Sequence, residues 1–359
     1  MKPKSRFHTG LHTSDWHSYP APPYKGKGWT VTFMKQTTEF PQGGEYSGSK
    51  FYPYKEVIIS ARDQVTAQRA ANTIYNVRNL LQGSNFYGMF SSGPQSVALV
   101  ISQESRGTPR KPGETPEFHS SPNIPLACLI ATRVSRKLRF VYALARLAIS
   151  MEIMSVPTID LDPNHSLNIP KSVFPEDHIR ITTAITSAYS CIEELGLELR
   201  ASRDNPSRIK GAWNPIVKSE LEQRLRQGGV DLAEEFYWNL RGKRTRIEIR
   251  RHPEITRRAP WAVSDVRDGQ MHVTDAVAYA SFMRSQIAAH SHEDKRSLRA
   301  LSVYDVTNIQ FLARRLLLES LGYWRYLGAD QHLHLRSRTR QKRKSLRTSS
   351  VTTGPGQEV

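Results

Sequence analysis

The chain of 359 residues carries 51 lysines and arginines against 33 aspartates and glutamates, a formal net charge of +18 and a pI near 10.0. Its mean hydropathy of -0.52 is that of a polar globular protein, and its length suits two domains. No apolar run approaches the roughly 18 residues of a membrane span, and the positively charged start has no apolar segment behind it, which argues against a membrane helix and a secretory signal.

A surface this basic attracts polyanions, of which nucleic acid is the usual one; solubility or an acidic protein partner would use the same charge. Charge by itself carries no preference between RNA and DNA. Cys128 and Cys191, the two cysteines, each sit in an apolar helical pattern. They offer neither a disulfide framework nor zinc-ligand spacing, so a reducing, cytoplasmic compartment is expected, with no metal and no cofactor.

Residues 1–55 are dense in Gly, Pro, Tyr and Trp, which interrupt helix and sheet alike, and most of this stretch is expected to be loop. Within it Trp29–Met34 alternates apolar and polar residues as a strand does, and Glu56–Ser60 beyond it is a second short strand. His8, His12 and His17 lie close in sequence but without carboxylates at ligand spacing. Asp63 is placed to cap a helix that stops at Gly83, with Val65, Ala70, Ile74, Val77 and Leu81 on one face. Ser96–Ser102 is a further buried strand. This order predicts a small α+β module over residues 1–105.

Residues 106–122 are polar and Pro-rich and read as a linker. From Asn123, with Pro125 in the first turn, one long helix is predicted to about Met154. Its apolar stripe is Leu126, Ile130, Val134, Leu138, Val141, Leu144, Ala148 and Ile149; Arg133, Arg136, Lys137, Arg139 and Arg146 make the other side basic. Further helices are predicted over His178–Leu199 and Ile216–Gln227, separated by a polar insertion, and a shorter apolar piece covers Val230–Leu240.

The densest charge in the body of the chain follows, in which Arg241, Lys243, Arg244, Arg246, Arg250 and Arg251 are candidates for binding nucleic acid. The tail, residues 329–359, adds Arg336, Arg338, Arg340, Lys342, Arg343 and Lys344 and is expected to be disordered. Such a tail holds RNA or DNA without sequence preference, or is simply a solvated end.

Thr274–Trp324 reads as two helices joined by a charged loop. Val277, Ala280, Ser281, Arg284, Ile287, Ala288 and Ser291 share one face of the first, and His290 stands six positions after Arg284. On an ideal helix six positions turn through roughly 240°, so the two side chains meet only if the helix loosens near Ala288–His290. The second helix runs from about Val303 to Leu321 on a stripe of Val306, Ile309, Leu312, Leu316, Leu317 and Leu321. A similar Arg–His interval recurs at Arg6/His12, Arg246/His252, Arg267/His272 and Arg325/His332, so the helical setting, not the spacing, singles out Arg284 and His290.

Histidine titrates near neutrality and serves as acid or base, and arginine can bond two phosphate oxygens as charge builds. Metal-independent RNA cleavage requires removal of the 2′-OH proton, stabilisation of a phosphorane and protonation of the leaving oxygen, tasks those two groups can perform. Equally, Arg284 could pair with Glu293, Asp294 or a helix carboxylate while His290 merely ends a helix. His290 and His292 as a metal pair would have to draw on Glu293 and Asp294.

The run Arg284-Ser285-Gln286-Ile287-Ala288-Ala289-His290 with its closing amphipathic helix resembles the HEPN superfamily (higher eukaryotes and prokaryotes nucleotide-binding), small helical domains many of which are metal-independent ribonucleases. Ser285 stands where such domains commonly carry Asn, Asp or His. The resemblance covers about residues 175–325 and implies an RNA endonuclease of the kind found in toxin and antiviral defence systems. It further implies a homodimer whose two motifs face one groove, with Ser285 orienting His290 or the phosphate and Glu193 or Glu194 holding the arginine.

The expected fold class is therefore α+β: the N-terminal α+β module, a linker, a mainly helical HEPN-like bundle over residues 123–328 and the basic tail. RNA and a second copy of the chain are the expected partners, with a protein partner at the N-terminal module. The alternative is a noncatalytic nucleic-acid-binding or scaffold protein that uses the helical domain to dimerise.

Overall fold

The structure, a computed structural model, describes residues 5–13, 23–39, 51–82, 102–103, 119–120, 124–154, 175–241, 266–288 and 303–324. Its architecture is mixed α+β. Strands β1 (Ser5–Thr13), β2 (Tyr24–Lys25), β3 (Trp29–Glu39), β4 (Phe51–Ala61) and β5 (Ser102–Gln103) form a sheet of order β2-β3-β4-β1-β5. These pairs are antiparallel where their register is defined, from Trp29 opposite Ala61 to Glu39 opposite Phe51 along β3 and β4. The stretch read as a linker returns to this sheet, where β6 (His119–Ser120) pairs in parallel with Leu11–His12.

β1 corrects the expectation that the chain start is loop. Phe7, Thr9 and Leu11 alternate inward and are buried, an alternation that only pairing with β4 turns into a strand. The same face carries Trp29, Val31, Val57, Ile59 and Ala61, and helix α1 (Gln64–Gln82) covers it with Ala67, Ala70, Ala71, Ile74, Val77 and Leu81. Asp63 caps α1, its Oδ1 accepting from the Thr66 amide at 2.7 Å. Val65, assigned above to the buried face, is exposed. Nine residues at about 100° each separate it from Ile74, which places it on the opposite side.

The remaining helices are α2 (Ile124–Val134), α3 (Leu138–Ile153), α4 (Pro175–Glu194), α5 (Pro215–Gln227), α6 (Val273–Phe282) and α7 (Val303–Leu321). The single helix expected over 123–154 is broken by a turn at 135–137. The break restarts the helical register, which leaves Leu138 and Ile149, both assigned to the apolar stripe, on the surface. α3 and α4 pack side by side, the Ser150 hydroxyl donating to the Ala184 carbonyl (2.7 Å) and the Ser187 hydroxyl to the Arg146 carbonyl (2.8 Å). Position 146 meets 187 while 150 meets 184, so the two helices are antiparallel.

Two of the stretches left irregular above are small β elements. Part of the apolar piece before the basic segment is β9 (Phe236–Arg241), antiparallel to β10 (Val266–Met271) with Phe236 opposite Met271. The polar insertion holds the hairpin β7 (Arg208–Ile209) and β8 (Ala212–Trp213), turned at Lys210 and Gly211 with φ of 52° and 86°. Two consecutive positive φ values are what a two-residue hairpin loop requires. α6 departs from its expected one-sided pattern, since every residue from Val273 to Ala280 is buried. It runs through the interior, and its high content of alanine lets neighbours approach from all sides.

The buried apolar side chains of sheet and helices form one continuous cluster. α7 secures it with two buried arginines. Arg314 Nε donates to the Leu80 carbonyl (2.7 Å) near the C-terminal end of α1, and burial pushes its guanidinium down to about 10, still charged at neutral pH. Arg315 donates to the carbonyls of Asp231 and Glu234 (both 3.1 Å) and Glu235 (3.3 Å), and to Glu319 Oε1 at 3.2 Å. Among the described residues no helix is long and apolar enough to cross a membrane.

Candidate functional site

α6 is held in place at its start. Asp275, buried in the first turn, accepts from the Trp213 indole (2.6 Å) and from Arg208 Nη2 (3.2 Å), and the Arg208 guanidinium lies 4.9 Å from the Trp213 ring centroid. The hairpin that sequence reasoning left as a polar insertion is thus clamped onto the helix that carries the candidate motif.

At its other end α6 passes into a π-helical segment, Met283–Ala288. A π turn bonds i to i+5 and inserts an extra residue, so it re-aims the side chains that follow; such segments are frequent at functional sites. The loosening that the Arg–His pair demands was placed near Ala288–His290; the helix widens over Met283–Ala288, and His290 itself lies outside the described residues.

Arg284, in this segment, reaches α4. Its Nη2 stands 3.3 Å from Glu193 Oε1, and its guanidinium lies 6.0 Å from the centroid of the Tyr189 ring one turn earlier on the same helix. Ser190 donates to the other carboxylate oxygen, Glu193 Oε2, at 3.2 Å. Arg284 is 40% exposed and Glu193 34%, so the pair is open to solvent on one side. Burial pushes the Tyr189 hydroxyl above its ordinary range, against the hydrogen bond it makes with Ser281, so it stays protonated.

The other residues of the predicted site divide. Glu194 turns away from Arg284 and lies 3.9 Å from Arg146 of α3. The Ser285 hydroxyl donates to the Ser281 carbonyl one turn back, at 2.8 Å. Arg241 ends β9. Lys243, Arg244, Arg246, Arg250, Arg251, Arg336, Arg338, Arg340, Lys342, Arg343 and Lys344 lie outside the described residues. His8, read above without a carboxylate, has Glu56 Oε2 at 3.0 Å, because the β1–β4 register brings a glutamate from the neighbouring strand.

Between α3 and α4, reached through Ser190, lies an open depression of about 350 Å³ lined by Arg146, Ile149, Thr182, Thr183, Thr186, Ser187 and Ser190. Sequence reasoning passed over these hydroxyls and over Tyr189. The available signal was periodic: Thr182, Thr186 and Ser190 recur every four residues, with Thr183 and Ser187 beside them, and so form one polar face of α4.

No protein-family model matches the sequence, and no curated protein or solved structure matches it either. The chemistry of the site rests on its residues alone. A guanidinium that is fixed by a carboxylate on one side and open on the other can offer N–H groups to a phosphate, with threonine and serine hydroxyls beside it as neutral donors.

Proposed function

We propose that the protein is a metal-independent RNA endonuclease of HEPN type. In this reading Arg284 bonds the non-bridging oxygens of the scissile phosphate and His290 transfers the proton. The 2′-hydroxyl attacks phosphorus, the bond to the 5′-oxygen breaks, and the products are a 2′,3′-cyclic phosphate and a 5′-hydroxyl. One histidine takes the 2′-OH proton and the same histidine of a second chain protonates the leaving oxygen, so a homodimer supplies both groups.

The observation that supports this reading is the Arg284–Glu193 ion pair. It is carried on a π-helical segment and faces solvent beside a hydroxyl-lined depression. Purified protein incubated with labelled RNA in EDTA should yield cyclic-phosphate ends, and Arg284→Ala and His290→Ala should each strongly reduce their yield.

The second reading, a noncatalytic nucleic-acid-binding protein, draws on the same side chains. Arg284 and Ser285 already have partners within the chain, as structural side chains do. Intact RNA with tight, salt-sensitive binding in the same assay would decide for it.

A further inference from the structure

A concentration of positive charge lies where the β2–β3 turn meets the corner between α2 and α3. Lys25 and Lys27 are exposed on a turn closed by the Gly26 amide donating to the Trp29 carbonyl at 3.0 Å. Its glycines are required: a Cβ on Gly26 would fall 2.1 Å from the Trp29 ring, and Gly28 has φ +85°. The Lys27 amide donates to Ser135 Oγ at 3.1 Å, which fixes the turn against the break between the two helices.

That break also exposes Arg136, Lys137 and Arg139. Lys137 and Arg139 rest on Phe140, 5.9 and 4.8 Å from its ring centroid, so their positions are partly ordered. Among the described residues no carboxylate pairs with any of these five cations. Like charges gathered from two distant chain segments repel one another, and no acidic side chain among the described residues offsets that repulsion. An anionic ligand would.

The surface next to this corner narrows the choice. Leu138 and Tyr142, 70% and 51% exposed, stand one turn apart on α3, within about 40° of each other around the helix. Arg139 and Arg146 lie together beside them on the same exposed side, and Arg146 lines the α3–α4 depression along with Ser190, the hydrogen-bond partner of Glu193. Cations alternating with an exposed aromatic ring suit single strands, whose bases are free to stack; a duplex keeps its bases inside.

We infer that this corner is a docking surface for single-stranded RNA. Lys25, Lys27, Arg136, Lys137 and Arg139 hold its phosphates and Tyr142 stacks a base, and the strand continues along the α3–α4 depression toward Arg284. The inference rests on the proposed function for the choice of polymer only, and its test reads binding without cleavage.

The probe is a fluorescent 2′-O-methyl RNA of about 20 nucleotides, which cannot be cut through its 2′-oxygen, titrated against the full chain over a salt series. Replacing the five cations together by Gln should weaken binding at least about tenfold at ~0.15 M salt. The slope of log K against log salt should fall by about 3.5, at ~0.7 for each phosphate that is no longer neutralised. A charge-matched control, with Arg62, Arg69, Arg200, Arg203 and Arg226 replaced by Gln, should stay within about twofold of wild type. Lys25→Gln with Lys27→Gln, on a turn outside the helices, should take about two fifths of the slope change and so separates a weakened interface from a failure to fold. Tyr142→Ala should weaken single-strand binding about tenfold and leave a duplex of equal length unaffected.

Wild-type affinity in the five-site variant, or an equal loss in the control, overturns the inference, because affinity would then follow net charge or the remaining basic segments. An equal effect of Tyr142→Ala on duplex and single strand overturns the single-strand assignment. Loss of cleavage in Arg284→Ala bears on the proposed function alone.

Discussion

Arg284 on the π-helical segment and Glu193 in the last turn of α4 form an ion pair at 3.3 Å, and Ser190 holds the other oxygen of the same carboxylate. Glu193 is thus a positioning residue for Arg284. Under the proposed function, Arg284→Ala should lower kcat for RNA cleavage by about 10²–10³-fold, as removal of one transition-state donor does. Glu193→Gln should lower kcat by about ten- to hundredfold with KM little changed, and Glu193→Asp should restore part of it. An unchanged kcat in Glu193→Gln would show that the pair does not orient the arginine for the proposed cleavage.

Arg315 is an interior cation with three backbone carbonyls and Glu319 as its partners. Arg315→Met should destabilise the fold by about 3–5 kcal/mol, since Glu319 and the carbonyls of Asp231, Glu234 and Glu235 lose their donor together. Urea midpoints measure this. Adding Glu319→Gln should recover part of the loss, because the second change replaces a buried carboxyl that has lost its partner with an amide that brings its own donor.

Two carboxylates should shape the pH dependence in opposite directions. Burial pushes Glu319 up to about 7, against the pull of Arg315. The folded state therefore binds more protons than the unfolded chain from about pH 4.5 to 7, and this group's contribution to stability falls as pH rises through that window. Hydrogen bonds from Thr66 hold Asp63 down to about 2, so its capping contribution is complete above about pH 4 and is lost as pH falls toward 2. Thermal melts from pH 2 to 8 should lose the neutral-range slope in Glu319→Gln and the acid-range slope in Asp63→Asn.

Asp275 is the acceptor for both Trp213 and Arg208. Asp275→Ala should cost about 3 kcal/mol and release the β7–β8 hairpin, because the Trp213 indole and the half-buried Arg208 guanidinium lose this shared carboxylate. Faster trypsin cleavage after Lys210 is the readout, and Asp275→Asn, which keeps an oxygen for the indole, should show a smaller increase.

Gly26→Ala should destabilise the sheet edge by about 1–3 kcal/mol, because the added methyl meets the buried Trp29 ring. It should also weaken RNA binding through displacement of Lys25 and Lys27. Normal stability together with normal binding would show that the turn accommodates a side chain.

What could be read from the chain itself was local. The Asp63 cap, the bounds of α5 and α7, strand β3 and the apolar stripe of α7 depend on residues within a few positions of one another, and periodicity and capping chemistry report them. The basic character of α3 and the candidate standing of Arg284 were legible on the same terms. Tertiary structure decided what depends on partners far along the chain. β1 is a strand because β4 lies beside it, His8 meets Glu56 through that register, and α6 is buried on every side because the helices around it need its surface. The break at 135–137 put Leu138 on the surface and brought Arg136, Lys137 and Arg139 to Lys25 and Lys27, a grouping with no local signature. Between Glu193 and Glu194, equivalent in sequence, the choice fell to geometry: adjacent residues on a helix point about 100° apart, so one faces the π-helical segment and the other faces α3.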